Sequence, residues 1–132
     1  MMLITPTYAA LLAFVFIGLS VHTIKQRRRY QVALGDGEKP ELMRAMRAHA
    51  NFAEYVPLAL VLVWMAEAVA YPGWVIHALG LTLLVGRLSH AYGITQTNEN
   101  FFFRVFGMSL TFLVLLTAGL FILIRPLLSI GV

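Results

Sequence analysis

The sequence contains no cysteine. That excludes disulfides, thiolate metal ligands and a cysteine nucleophile, so any thiol chemistry has to come from a bound molecule. Acidic residues are scarce too, with six Asp+Glu against ten Lys+Arg in 132 residues. Charged residues make up 12% of the chain and apolar ones 60%, where a soluble domain has about 25% and about 45–50%. A chain this small and this apolar cannot cover itself with water-facing surface. Lipid must be part of its solvent, and its length is that of one domain. A net charge of +4 can signal nucleic acid, but here the placement of the basic residues points to a membrane surface and no nucleic-acid partner is expected. No internal repeat or low-complexity tract is present.

A membrane-spanning helix needs about 20 mainly apolar residues. Four stretches qualify, at about 8–24, 51–70, 74–92 and 103–124. Their ends carry helix-breaking or charged punctuation: Lys25 to Arg29 after the first, Pro72 and Gly73 after the second, Gly93 after the third, Arg125 and Pro126 after the fourth. The first stretch has no positive residues ahead of it and a basic cluster behind it. That is a stop-transfer pattern, and the segment is read as retained. The expected fold is therefore an all-α, integral membrane four-helix bundle of up-down topology. The second helix is expected to begin near Glu41, whose carboxylate suits a helix N-terminus, and to project beyond its apolar part.

Basic residues set orientation, because they stay on the cytoplasmic side. The 25–50 connection holds Lys25, Arg27, Arg28, Arg29, Lys39, Arg44 and Arg47, and Arg87 and Arg104 flank the turn between the third and fourth spans. The turn at Tyr71, Pro72 and Gly73 holds none, and only Arg125 lies at that end. Both termini are expected outside and the 25–50 connection inside, with the basic cluster against anionic lipid headgroups.

The polar residues within the spans carry the functional information. In RAMRAHANFAEYVP (44–57), Arg44, Arg47, Asn51, Glu54 and Tyr55 recur at helical spacing and form one stripe running from the basic side into the membrane. Ala45, Ala48 and Ala50 let another helix approach closely. Ionisable groups at this depth face a bundle interior or a wet cavity. Arginines suit carboxylates, Asn51 both donates and accepts, and Glu54 suits an ammonium, so the set matches a zwitterionic peptide. An Arg47–Glu54 pair that merely joins helices fits the same spacing. The third span ends GRLSHAYG (86–93), with Arg87 and His90 one turn apart. Arg87 can pair with Glu54, grip an anion or snorkel to the interface. Arg104, after three Phe, suits a site where a nearby thiol is held as thiolate, or a plain interfacial anchor. His22, His49 and His90 fall toward one membrane face but share no ligand spacing, so no metal site is expected. Glu67 fits either an interhelical hydrogen bond or the outer interface.

Four short spans, RAHANFAEYVPLAL in the second and GRLSHAYG in the third, resemble the membrane-associated proteins in eicosanoid and glutathione metabolism, the MAPEG family. Its members include microsomal glutathione transferases, leukotriene C synthase and microsomal prostaglandin E synthase. The resemblance spans almost the whole chain and looks like that of a bacterial-type branch, in the inner membrane. It implies a homotrimer that binds glutathione as co-substrate between subunits near the cytoplasmic side. By the same resemblance Arg47, Asn51, Glu54, Tyr55 and Arg87 match glutathione-binding positions, with His90 beside them. Arg27 or Arg28 matches a basic position at the end of the first helix. Arg104, placed through a short insertion in the preceding loop, matches the arginine that stabilises the thiolate. His49 stands where the eicosanoid synthases often carry Gln, and His90 and Ile94 where several members carry tyrosine. The implied activity is a glutathione transferase or peroxidase acting on apolar electrophiles or lipid hydroperoxides. A non-catalytic lipid-binding or scaffold protein of the same family is the alternative. A small four-helix proton-coupled exporter is disfavoured because the first span has no Asp or Glu to carry a proton.

Overall fold

The computed structural model describes residues 3–129. Among them the regular structure is helical throughout: α1 (Thr5–Tyr30), α2 (Pro40–Ala68), α3 (Gly73–Thr95) and α4 (Phe101–Ser129). Three helical stretches, Thr5–Tyr30, Pro40–Ala68 and Phe101–Pro126, are long and apolar enough to cross a membrane. α3 is not among them, for it carries His77, Arg87 and His90. Arg87 and His90 are buried in the protein, so their polarity is met by other helices.

The helices run up and down. The N-terminal end of α1 meets the C-terminal end of α2 and the start of α3: Glu67 bonds Ile4 and Thr5, and the Tyr8 hydroxyl lies 3.1 Å from His77 Nδ1. Tyr71 donates to the Phe121 carbonyl at 2.9 Å, bringing the far part of α4 to that face. At the opposite, basic face, Thr23 of α1 donates to the Ala45 carbonyl of α2 at 3.2 Å. α3 touches all three other helices, whereas α1 and α4 do not touch among the described residues.

α1 has no side-chain cap of its own at Ile4. The first amides of a helix lack intrahelical acceptors, and here the Glu67 carboxylate from α2 takes those of Ile4 and Thr5. A buried carboxylate at a helix N-terminus also meets the favourable end of the dipole. At the other end α1 runs helical through the whole basic cluster and stops at Gln31 in the left-handed region. Arg27 folds back to donate to the Gly35 carbonyl at 2.9 Å. Gly35 and Gly37 have φ of +73° and +58°, which a side chain would oppose. α2 then begins at Pro40, beside the expected Glu41, and continues through Pro57.

The α3–α4 seam is close. A Cβ on Gly86 would lie 2.9 Å from Leu110 Cβ and 3.0 Å from the Gly107 carbonyl. One on Gly107 would lie 2.5 Å from the His90 amide nitrogen, and one on Gly93 would lie 2.7 Å from that of Arg104. Glycine lets membrane helices approach in this way. The seam sets the register that brings Arg104 beside the end of α3.

Candidate functional site

The polar residues of the basic half fall into three groups. The innermost surrounds Arg87, which is 1% exposed. Its guanidinium donates to Asn51 Oδ1 at 2.6 Å, to Thr111 Oγ1 at 3.3 Å and to His90 Nδ1 at 3.3 Å. It lies 3.6 Å from the Met108 sulfur and over the Phe52 ring at 5.7 Å. Because Arg87 donates to Nδ1, Nε2 is left to carry the imidazole proton of His90. Arg87 thus joins α2, α3 and α4 through neutral partners. Among the described residues Arg87 forms no ion pair, so the expected pairing with Glu54 is not made. Its Nε is buried with no hydrogen-bond partner there.

The second group rings an open pocket of about 280 Å³ at the basic face. Pro40, Met43, Arg44, Arg47, Ile94, Glu99 and Arg104 line it. Glu99, on the connection between α3 and α4, bridges two cations: its carboxylate accepts from Arg104 and lies 3.3 Å from Arg44. The Arg104 hydrogen bond is the leading reason the Glu99 carboxyl is held below the usual carboxylate range, with Arg44 adding to it. Arg104 also stands over the Phe101 ring, 5.8 Å from its centre. Arg47 is exposed and makes no ion pair among the described residues. Three guanidiniums against one carboxylate make this an anion-attracting pocket.

The third group is Glu54 and Tyr55, one turn deeper than Asn51. Glu54 is exposed on α2 and forms no ion pair with Arg87 or Arg47 among the described residues, and Tyr55 packs its ring edge-on against Phe112 at 5.7 Å. The stripe seen in the sequence is therefore split by rotation about α2. Asn51 faces inward, while Arg47, at the pocket, and Glu54, two turns further along, are both exposed. Arg28 is exposed, whereas its neighbour Arg27 fastens the 31–39 connection. His49, half-buried, has Nε2 3.1 Å from the Ser20 hydroxyl and its ring stacked on Phe16 at 4.7 Å, so it belongs to the α1–α2 contact.

Sequence reasoning passed over Glu99 and Thr111 as site residues. Glu99 had a readable signal, since it is an acid in a short turn between two helices that both carry arginine. Thr111 had none, because its role depends on which face of α4 meets Arg87.

The chain is 39% identical over 114 residues to the inner membrane protein YecN of Escherichia coli strain K12, covering 86% of each chain. The corresponding protein of Escherichia coli O6:H1 matches to the same extent. The model of the MAPEG family matches residues 5–124, which take in α1, α2, α3, α4 as far as Ile124, and every residue of the basic-face pocket. The match covers most of the chain, and the chain belongs to the MAPEG family, a glutathione transferase-like family of membrane proteins.

Proposed function

We propose that the protein is a membrane-bound glutathione-dependent transferase or peroxidase that acts on apolar electrophiles or lipid hydroperoxides. The observation that carries this reading is the convergence of Arg44, Arg47 and Arg104 on one open pocket with a single carboxylate among them. Glutathione brings two carboxylates, an ammonium and the thiol that a chain without cysteine lacks. Arg44 and Arg47 suit the carboxylates. Arg104, at the mouth of α4, is the residue that holds the sulfur as thiolate, since a cation favours the charged form of a neighbouring thiol. Asn51 and His90 stand behind the pocket, held by Arg87. The apolar surface of α4 beside Arg104, from Phe101 to Phe106, is the side from which a membrane-dissolved second substrate would arrive.

Glu54 supports a further element of the reading, a homotrimer. A carboxylate exposed on a membrane helix costs several kcal/mol unless something polar covers it. A neighbouring copy seated on that face would meet Glu54 and Tyr55 and would close the pocket from outside. Glutathione would then lie between subunits, with Glu54 available to its ammonium.

The test is an ultraviolet difference titration of glutathione into detergent-purified protein near neutral pH, following thiolate absorbance. A saturable signal that disappears in Arg104→Ala is the expected result. Binding by calorimetry without that signal would leave glutathione as ligand and remove Arg104 from the assigned role. A second reading, a lipid-binding or scaffold protein without turnover, gains from Ile94, an aliphatic residue where a hydroxyl would otherwise serve the ligand. It predicts that neither signal is seen.

A further inference from the structure

Glu99 is singular among the charged residues of the basic face. Arg44 comes from α2 and Arg104 from α4, and Glu99, from the short turn between α3 and α4, is the acid they share. All three side chains are partly solvated: Glu99 is 19% exposed, Arg44 28% and Arg104 41%. They line the pocket rather than a sealed core. Ion pairs in that setting contribute little, because water screens them, so they are easily exchanged. The turn around them is lightly held. Asn100 caps α4 by accepting from the Phe102 amide at 3.0 Å. Among the described residues no hydrogen bond or ion pair ties residues 96–98 to the rest of the protein. Glu99 is thus the tether of its own turn, and its carboxylate sits where an incoming anion would have to bind.

We infer that Glu99 is the built-in counter-anion of the pocket: an anionic ligand enters by replacing the Glu99 carboxylate on Arg44 and Arg104, and the 96–100 turn swings aside as it does so. The residue determines specificity because it sets a threshold. A weak monoanion gains little by replacing one carboxylate with another. A ligand with several anionic groups engages Arg47 as well, which has no ion pair among the described residues to give up, and so outcompetes the tether. The inference rests on the proposed function only in taking the arginine pocket as the place where anions bind. It does not require the anion to be glutathione.

Glu99→Gln removes the charge and keeps the shape of the side chain, with one acceptor oxygen in place of two. Full-length wild type, Glu99→Gln and Glu99→Ala would be titrated by calorimetry at low salt with two probes, glutathione and inorganic phosphate, after thermal unfolding has confirmed that the variants are folded. The expected result is that both substitutions tighten both probes, by about five- to tenfold, with the larger gain for the smaller anion. Tighter phosphate binding with glutathione silent in all three proteins supports the counter-anion and removes the glutathione reading. Weaker glutathione binding in the variants overturns the inference, because Glu99 would then be holding the ligand's ammonium. Absence of binding of both probes in all three proteins also overturns it, because the pocket would not be an anion site.

Discussion

Two glutamates near opposite ends of the bundle show how one functional group serves different ends. Glu67 stands on α2, 4% exposed, and its carboxylate accepts from two backbone amides at the start of α1. Its partners cannot move without unwinding a helix. Glu99 stands on a short turn and its partners are the tips of two long arginine side chains that water reaches. The first is a fixed joint and the second an exchangeable one. The difference lies in burial and in whether the partners are backbone or side chain, because the acid is the same. The end opposite the basic face is accordingly closed by Glu67, the Tyr8–His77 contact and the Tyr71–Phe121 bond, while the basic end keeps an open pocket.

The strongest way to break the contrast is to part the helices that frame the pocket. Gly107→Leu would drive a side chain into His90 and the Gly86 carbonyl. Such overpacking costs about 1–3 kcal/mol or more, and the variant should lose its cooperative thermal transition in detergent. Gly119→Ala, where nothing lies within 4 Å, should be neutral or gain up to about 1 kcal/mol of helix propensity. Equal behaviour of the two variants would show that the seam is not tight.

Next in size is the fixed joint. Glu67→Ala leaves the amides of Ile4 and Thr5 unpaired and should lower stability by about 2–3 kcal/mol, read as a drop in unfolding temperature. Glu99→Ala should leave it close to the wild-type value, because solvent screens its ion pairs. If the two losses matched, the distinction between fixed and exchangeable acids would fall.

The Arg87 network allows a sharper separation of structure from function. Arg87→Ala opens a cavity and strips Asn51 and His90 of their donor, at a cost of about 3 kcal/mol. Arg87→Met fills the volume, and removal of a buried charge without a counter-ion is often neutral for stability. Arg87→Met should therefore unfold near the wild-type temperature, yet show weakened glutathione binding by calorimetry, because Asn51 and His90 are no longer held in place. Normal binding in a folded Arg87→Met would remove Asn51 and His90 from the site.

The smallest effect is a pH dependence. The Glu99 carboxyl, whose partners are Arg104 and Arg44 with Arg47 also at the pocket, is held below the usual carboxylate range. A depressed carboxyl contributes stability that is present above its ordinary pKa and is lost as pH falls through the lowered value. The Glu99 side-chain carboxyl carbon, followed by NMR, should therefore keep its ionised chemical shift through mild acid and titrate only below the usual glutamate range. In Arg104→Ala the titration should begin at higher pH.

Much of this was legible in the sequence. Composition placed the chain in lipid, apolar run length located the helices, and basic clusters marked one face. The helix ends came within a few residues, at Gly73 and beside Glu41, because caps and breakers act locally. The motif around Arg47, Asn51 and Glu54 pointed to the family that the comparisons established. What stayed hidden was direction. Spacing put Asn51 and Glu54 on one stripe, yet a small rotation about α2 turns one toward Arg87 and the other outward. Glu67 was readable as a polar residue in a span but not as the cap of a helix 62 residues away in sequence.

The sequence by itself determined that the chain lies in a membrane, how many helices it forms, where they end and which face is basic. Each of these is a sum over one contiguous window, of transfer free energy, helix propensity or charge. The tertiary structure alone decided that Arg87 is satisfied by neutral partners, that Glu67 closes one end and that Glu99 occupies the arginines at the other. Those outcomes depend on the rotation of each helix about its own axis. That rotation is set by close contacts such as Gly86 against Gly107, between residues far apart in the chain.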